Sequence, residues 1–260
     1  MAELNKNDYK GVWVVAEHRH GVLHNVSCEL LGKAKEIAEA LGVETAAVLI
    51  GDGISGLAGS LIKYGADKVY VVDNPMLKYF DDEAYASVIA QLAQKYKPEI
   101  IWTGATAVGR AFFPRVSIKL NAGLTADCTA FELDMEKRNL YQIRPAFGGN
   151  LMAKIMTPEK RPQMSTARYK VFKALDPDEN RKGEIITPEI AFDSIKVRAR
   201  MIEFIEELEN TINIAEADII VSGGRGTGGA ENFSVIKNLA QALGGAVGAS
   251  RAAVDSGWIQ

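Results

Sequence analysis

Two glycine-rich, cation-bearing turns near the end of this chain hold the residues best suited to chemistry. Residues 222–229 include Arg225, and residues 248–258 include Ser250 and Arg251. Each turn follows a short apolar run that is typical of a β-strand. If the two strands are neighbours, their turns offer backbone amides and guanidinium groups to a diphosphate. This combination makes a nucleotide-type cofactor the leading hypothesis.

The first turn contains a Gly-x-Gly-x-x-Gly match at Gly224, Gly226 and Gly229, which is a weak signal when it stands alone. A nicotinamide-binding unit usually places an acid at the end of its next strand to hold the ribose. Here that strand ends in Ser250 and Arg251, which suit a phosphate or an electron-rich ring better. An arginine beside a flavin would favour its anionic reduced forms and raise its potential, because a cation interacts best with the more negative state. The open alternatives are an ordinary ion pair of Arg251, a nicotinamide-dependent oxidoreductase, and a scaffold subunit that supports a partner's cofactor.

All three histidines of the chain, His18, His20 and His24, fall in one short stretch. Their spacing matches none of the strong zinc patterns, and no nearby cysteine or paired carboxylate completes a metal shell. We interpret the stretch as a polar loop at the carboxyl edge of a sheet, where α/β proteins place ligands and partners. The sequence also has no Walker A motif, nucleophile elbow or paired-cysteine site, so any chemistry would be that of a cofactor.

Three other segments place small and polar residues at turns. Residues 103–110 link a predicted strand to a helix, and this link is either a tight turn or a ligand or subunit contact. Residues 123–128 put polar groups beside a turn, and residues 144–150 form a predicted hairpin loop between two strands.

The elements that would position these residues alternate along the first part of the chain. Apolar β-branched runs predict four strands, at residues 11–16, 45–50, 68–72 and 99–103. Apolar residues at helical spacing predict four helices, at residues 26–41, 57–62, 85–96 and 112–120. Nearly continuous apolar strands separated by helices indicate a parallel sheet covered on both faces.

The pattern changes after Asn121, where strand-like segments follow one another without helices. These segments are residues 126–133, 139–144, 151–156 and 164–172. We interpret them as an antiparallel extension of the same domain. Residues 176–183 are charged and rich in turn formers, which predicts a linker. A smaller α/β unit then begins near Ile190, so we predict two domains, at residues 1–189 and 190–260.

The composition is that of a soluble globular protein. The chain has 260 residues, of which 47% are hydrophobic and 24% charged, and its net charge is −3. No basic excess would draw it to nucleic acid or to anionic lipid. No apolar run has the ~18 residues that a membrane span needs, and the N-terminus lacks an apolar core of signal-peptide length. Cys28 and Cys128 are lone thiols that suit a reducing cytoplasm as small buried hydrophobes.

Taken together, these segments resemble the alpha subunit of electron transfer flavoproteins, and the resemblance extends over essentially the whole chain. It is densest at residues 104–106, 109–110, 114–116, 123–128, 221–226 and 248–257. The last of these ranges is similar to the family's characteristic signature.

The resemblance implies an α/β protein with two parts. A parallel-sheet domain like that of adenine-nucleotide hydrolases, residues 1–189, would pack on a beta subunit. A partial Rossmann-like domain, residues 190–260, would bind FAD and swing on a linker between electron donor and acceptor. By motif, Arg225 would contact the FAD diphosphate region, Ser250 would bind FAD, and Arg251 would lie over the isoalloxazine and tune it. The implied function is cytoplasmic electron transport with no substrate turnover of its own.

The resemblance also implies an acyl-CoA dehydrogenase or related flavoenzyme as partner. Residues 144–150 and 161–164 look like those of bacterial and archaeal branches that include electron-bifurcating members. Those members hold a second FAD in the beta subunit and oxidise NADH there, with ferredoxin as an acceptor, whereas other relatives hold AMP at that place. The family continues beyond the position of Gln260 with a Gln-Thr-Gly loop and further strands. We therefore expect a C-terminally truncated form that holds FAD weakly in its own second domain.

Overall fold

A computed structural model describes residues 5–19, 21–146, 150–199, 201–202, 214 and 217–259. The chain divides into two compact units, Met1–Met201 and Ile202–Gln260. The predicted α/β class is confirmed by the elements of both units. The domain boundary at residues 189 and 190 remains a prediction.

Helices and strands alternate through much of the described chain. Its six α-helices are α1 (Asn25–Leu41), α2 (Ala58–Lys63), α3 (Asp82–Tyr96), α4 (Ala107–Leu120), α5 (Phe233–Leu243) and α6 (Arg251–Asp255). The strands of the described ranges are β1 (Val12–Ala16), β2 (His18–Arg19), β3 (Val22–Leu23), β4 (Thr45–Gly51), β5 (Lys68–Asp73), β6 (Ile100–Gly104), β7 (Leu124–Cys128), β8 (Ala130–Asp134), β9 (Asn139–Pro145), β10 (Met152–Ile155), β11 (Gln163–Ala167), β12 (Glu184–Ile186), β13 (Ile220–Gly223) and β14 (Ala246–Ala249). Among the helices of these ranges, none combines the length and the apolar character that crossing a bilayer requires.

The first unit is built on a seven-stranded parallel sheet in the order β12-β5-β4-β1-β6-β11-β7. Its central strand β1 is buried along its whole length. Because successive side chains of a strand point to opposite faces, Val14 belongs to the core that includes α1 and α2, while Val15 belongs to the core that includes α3 and α4. The sheet is therefore covered on both faces, as the apolar strands predict.

The helices of this unit begin and end at residues that satisfy their terminal groups. His24 Nδ1 accepts a hydrogen bond from the amide of Val26 at the start of α1, and Gly42 ends this helix with a φ of 66°. The carboxylate of Asp81 accepts from the first amides of α3. Thr106 Oγ1 accepts from the amide of Gly109 in α4, 3.0 Å away. These caps fix where each helix leaves the sheet.

The strands after Asn121 divide between two sheets. Strands β8, β9 and β10 form a separate antiparallel sheet, which agrees with the predicted extension. Strands β7 and β11 instead join the parallel sheet, so the antiparallel placement expected for residues 164–172 is wrong for β11. Strands β8–β10 lie in the connection from β7 to β11, which is the long crossover that a parallel pairing requires. This connection lets β11 lie between β6 and β7.

Residues 176–183 pack along the first unit and are not the free linker that their composition predicts. Arg181 Nη2 donates to Asp67 Oδ1 at 2.6 Å, and β12 then adds a strand to the sheet beside β5. Further along, Arg198 Nε donates to Glu83 Oε1 at 2.7 Å. The chain is thus attached to the first unit as far as Arg198.

The second unit contains β13, α5, β14 and α6 in chain order. Phe233 is buried at the start of α5, and a side chain at Gly223 would meet its ring, since a Cβ there would lie 2.8 Å from Phe233 Cε1. Ala240, two turns further along α5, is also buried. The helix therefore packs on the strand whose end carries the first glycine-rich turn.

Candidate cofactor site

The two turns predicted to form a cradle follow neighbouring strands. β13 and β14 pair in parallel, with Ser222 opposite Gly248 and Gly223 opposite Ala249. Beyond the last pair, the amide of Ser250 donates to the carbonyl of Gly223 at 2.9 Å. The turn after β13 and the start of α6 therefore lie side by side at the carboxyl edge of the two strands.

The turn after β13 gives a ligand open access to its backbone. Residues Arg225–Thr227 form a 3-10 turn, and no side chain of the described residues caps it. A Cβ at Gly226 would meet nothing within 4 Å in the described part of the chain, and one at Gly224 would only reach Ser250 Oγ at 3.4 Å. Because the first amides of a helical turn have no acceptor inside it, they are available to an anion that approaches this open side.

Hydrogen bonds from the side chains of Thr227 and Asn232 hold the shape of the turn. Thr227 Oγ1 donates to the carbonyl of Gly224 at 2.8 Å, and Asn232 Nδ2 donates to the carbonyl of Thr227 at 2.6 Å. Gly228 ends the turn with a φ of 79°, a conformation that favours glycine. The turn is therefore shaped before any ligand arrives, which lowers the entropy cost of binding.

The three residues predicted to bind the cofactor surround this turn, and all are exposed. Arg225 begins the 3-10 turn, and Ser250 directly precedes α6 without forming a side-chain cap bond to any described residue. Arg251 is the first residue of α6, and its side chain is 93% exposed. Its Nε lies 3.4 Å from Asp255 Oδ2, so Arg251 does form the ion pair named as an alternative to cofactor binding. This pair still leaves the guanidinium open to solvent.

This donor set fits the diphosphate of FAD. Open amides, a hydroxyl and two guanidinium groups all favour an anion, and no acid occupies the strand ends at residues 222–226 or 248–252. The acid that a nicotinamide site would place at the end of the second strand is absent from that position. The arrangement can hold a phosphate by hydrogen bonds and stabilise negative charge beside it.

The histidine stretch in the first unit forms structural contacts. His18 Nε2 lies 2.9 Å from the carbonyl oxygen of Ile50, and His24 caps α1. His20 lies outside the described residues. Among the residues that are described, no group of three or more His, Cys, Asp or Glu side chains is placed to hold a metal.

A cavity of about 40 Å³ lies beside His18 at the carboxyl ends of β1 and β6, and it is lined mainly by apolar and aromatic side chains. Thr106 Oγ1 donates to Glu17 Oε2 at 2.6 Å at this same edge. The cavity is close in size to a water molecule and far smaller than the pockets that hold cofactors. Whether residues 103–110 form only a tight turn or also a ligand or subunit contact remains a prediction.

Sequence reasoning missed an anion-binding loop that the first unit fills with its own carboxylate. Asp73, at the end of β5, accepts hydrogen bonds from the amides of Gly53, Ile54 and Ser55 and from Ser55 Oγ. The hydroxyl of Ser55, followed by these amides, lowers the pKa of Asp73. An acid at the end of the strand next to a glycine-bearing loop was the available signal.

Both cysteines are buried thiols without a partner in a disulfide. Burial raises the pKa of Cys28 to about 11 and that of Cys128 to about 12. Both therefore stay protonated at neutral pH, which agrees with their expected role as small buried hydrophobes.

Known protein families match both units. The model of the electron transfer flavoprotein domain matches residues 12–193, and that of the electron transfer flavoprotein FAD-binding domain matches residues 213–260. The chain belongs to the alpha subunits of electron transfer flavoproteins. The predicted family is confirmed, and FAD is confirmed as the cofactor.

Relatives of this alpha subunit align along nearly its whole length. It is 51% identical over 253 residues to the electron transfer flavoprotein subunit alpha of Thermoanaerobacterium thermosaccharolyticum, covering 97% of this chain and 76% of the relative. It is 45% identical over 254 residues to the subunit alpha of Megasphaera elsdenii, covering 97% and 75%. It is 41% identical over 255 residues to the lactate dehydrogenase (NAD(+),ferredoxin) subunit LctC of Acetobacterium woodii, covering 98% and 60%.

Membership as an alpha subunit implies a beta-subunit partner. The individual roles of Arg225, Ser250 and Arg251 toward FAD remain predictions.

Proposed function

We propose that the second unit of this alpha subunit holds FAD through Arg225, Ser250 and Arg251, and that electrons pass through this flavin between redox partners. The observation that carries the proposal is the hydrogen bond from the amide of Ser250 to the carbonyl of Gly223. This bond joins the ends of the two strands and puts all three residues around one open turn.

Each residue has a separate task in this proposal. The turn amides and the guanidinium of Arg225 hold the diphosphate, because both present donors to an anion. The hydroxyl of Ser250 forms no cap hydrogen bond to any described residue, so it is available to donate to the cofactor. FAD, when bound, supplies the reversible uptake and release of electrons.

Arg251 tunes the cofactor electrostatically. Its guanidinium remains charged at all physiological pH values, and it attracts the electron-rich state of a neighbouring group more than the electron-poor state. Once a flavin covers it, water no longer screens this attraction fully, so the difference grows. The chain therefore raises the reduction potential of its FAD.

The test is to replace Arg251 in the complex with the beta subunit. We expect Arg251→Gln to lower the FAD midpoint potential and Arg251→Lys to retain part of the effect, because lysine keeps the charge but not the planar fork. Lys237→Gln, which removes an exposed cation from α5, is the matched control and should leave the potential unchanged. An unaltered potential in Arg251→Gln, with FAD still bound, would refute the proposed role.

The domain organisation belongs to the same proposal. Residues 1–189 pack on the beta subunit, and residues 190–260 carry the FAD. The flavin count of the purified complex, compared with that of the chain alone, measures how much the partner contributes to holding the cofactor.

The name of the Acetobacterium woodii relative favours a second, finer function. That relative is a subunit of a dehydrogenase named for NAD(+) and ferredoxin. We propose that this chain likewise works in the cytoplasm with NADH and ferredoxin, in a bifurcating complex, and alternatively serves an acyl-CoA dehydrogenase. Stopped-flow oxidation of NADH by the assembled dimer distinguishes the two. Oxidation that depends on ferredoxin supports bifurcation, whereas reduction of FAD by an acyl-CoA dehydrogenase without NADH oxidation supports the alternative.

A further inference from the structure

A cavity of about 360 Å³ opens at the amino ends of β1, β4 and β5. It lies at the opposite edge of the main sheet from the small cavity beside His18. Its volume is within the range of sites that hold small organic ligands. All of its lining residues belong to the first unit, so the cavity is separate from the turns proposed to hold FAD.

An alanine between larger side chains leaves room for this cavity. Ala46 of β4 pairs in parallel register with Trp13 of β1 and with Lys68 of β5. Side chains of paired residues in parallel strands point to the same face, and Tyr70, two residues after Lys68, points there as well. Tyr96, the last residue of α3, lines the cavity from the helix. The space therefore lies beside the methyl group of Ala46.

Three aromatic rings form one wall of the cavity. The ring centroids of Trp13 and Tyr70 are 4.8 Å apart, and those of Tyr70 and Tyr96 are 4.6 Å apart. Trp13 is only 3% exposed and Tyr70 only 7%, so packing fixes the positions of both rings. Aromatic rings attract one another beyond the effect of burying apolar area. This wall therefore favours a ligand with a flat, aromatic body.

The wall also presents polar atoms that have no partner. Neither the indole N–H of Trp13 nor the hydroxyl of Tyr70 forms a hydrogen bond to any described residue. Burial raises the pKa of Tyr70, so its hydroxyl stays protonated and can donate. Gly11 leaves the indole uncovered, since a Cβ there would lie 3.7 Å from Trp13 Nε1. Because an unpaired donor inside a protein is unfavourable, these groups favour a ligand that brings an acceptor.

The charged residues of the lining favour a negatively charged acceptor. Lys68 Nζ lies 2.8 Å from Glu44 Oε2 and 3.6 Å from Glu184 Oε2, so this cation is already paired. Lys10 also lines the cavity, and it is exposed and has no ion pair within the described part of the chain. Its ammonium group is therefore available to a carboxylate that enters the cavity.

We propose that this cavity binds a small aromatic carboxylate, whose ring packs against Trp13, Tyr70 and Tyr96 and whose carboxylate pairs with Lys10. A neutral aromatic molecule would leave the ammonium group of Lys10 without a partner. A cationic one would be repelled by it.

The test is a calorimetric titration of the FAD-loaded complex with the beta subunit, with sodium phenylacetate as the probe. We expect saturable binding that is about tenfold weaker in Lys10→Gln, because one charge-assisted contact is lost. Lys6→Gln removes an exposed cation that does not line the cavity, so this matched control should bind as the wild type does. Phenylacetamide has a similar shape without the charge, and it should bind the wild type as weakly as phenylacetate binds Lys10→Gln.

Ala46→Leu supplies a second variant, because the larger side chain fills the space beside Trp13 and should abolish binding. Thermal melting shows whether this variant is folded, and the exposed position of Lys10 keeps the first comparison valid if it is not.

Three outcomes overturn the proposal. The first is the absence of saturable phenylacetate binding to the wild type, and the second is equal binding by Lys10→Gln and Lys6→Gln. The third is tighter binding of phenethylamine than of phenylacetate, which would identify an aromatic cage for a cation. None of these outcomes depends on whether Arg251 tunes the flavin.

Discussion

Gly226 allows the anion-binding role of the second unit to be tested without disturbing the fold. Its φ is outside the left-handed region, and a Cβ there would meet nothing within 4 Å in the described chain. Alanine is therefore accommodated, and it should stabilise the unit by about 0.4–1 kcal/mol through the unfolded state. In the proposed binding mode of FAD, the same methyl group occupies space that a phosphate oxygen needs to reach the amides of the turn. Losing one hydrogen bond to a charged group costs about 2 kcal/mol, which weakens FAD binding about 30-fold.

The assay compares Gly226→Ala with wild type in the complex with the beta subunit. Flavin fluorescence gives the Kd for FAD, and thermal melting of the flavin-free complex gives the stability. Gly59→Ala is the matched control, because its Cβ also meets nothing within 4 Å of the described atoms and its position in α2 is remote in sequence from the turn. If Gly226→Ala binds FAD as tightly as wild type, phosphate does not approach this turn. If it melts well below wild type, the space around Gly226 is not open.

Two further predictions concern the first unit. Arg138 donates to both oxygens of Glu99, whose side chain is only 3% exposed. Arg138→Met leaves this buried carboxylate unpaired, so it should lower the free energy of unfolding by about 3 kcal/mol. Adding Glu99→Gln should restore part of that loss in urea melts, and a loss below about 1 kcal/mol in the single variant would contradict this reasoning. Asp73 has a lowered pKa in the folded state, so its contribution is present above the unfolded pKa of about 3.9 and disappears as pH falls through the folded pKa. Asp73→Asn should therefore cost about 1 kcal/mol at pH 7, since the group is exposed, and the gap from wild type should narrow as the pH falls below the unfolded pKa. A gap independent of pH would exclude this origin.

The central strands of the first unit could be predicted from local sequence. Strands buried on both faces appear as continuous apolar runs, and the predicted ranges 11–16 and 45–50 differ from β1 and β4 by a residue at most. Helix α1 was equally clear, because its apolar residues recur at helical spacing up to Gly42. In the second unit the apolar runs predicted as strands before the two turns are β13 and β14.

Pairings between distant segments could not be predicted in this way. The sequence of β11 does not indicate whether this strand pairs in parallel or antiparallel. Its direction depends on the path of the preceding connection through β8–β10. Helix α6, with five residues, is too short for a periodic signal. Arg110 and Arg168, which both pair with Asp127, come from separate elements, so their meeting is a product of the tertiary fold.

The candidate cofactor site was more accessible to sequence reasoning, because its residues follow two strands within one small unit. A strand, a helix and a second strand in immediate succession place the two strand ends together. The side-chain types at those ends, two arginines and a serine, then indicate an anion. The sequence could not show that Gly226 faces open space, or that the guanidinium of Arg251 remains exposed beside Asp255.

The backbone amides at the strand ends have a side-chain acceptor in the first unit and no described side-chain cap in the second. In the first unit the carboxylate of Asp73 occupies the amides of residues 53–55, so that loop needs no ligand. In the second unit no described side chain caps the turn at Arg225–Thr227, so its amides must bind water or a ligand. An anion displaces that water only if it binds more favourably than a neutral group would, and in the proposed binding mode the charges of Arg225 and Arg251 supply that gain. We therefore expect selectivity for an anionic cofactor to arise in the second unit from the combination of an uncapped turn and two cations that no described carboxylate neutralises fully.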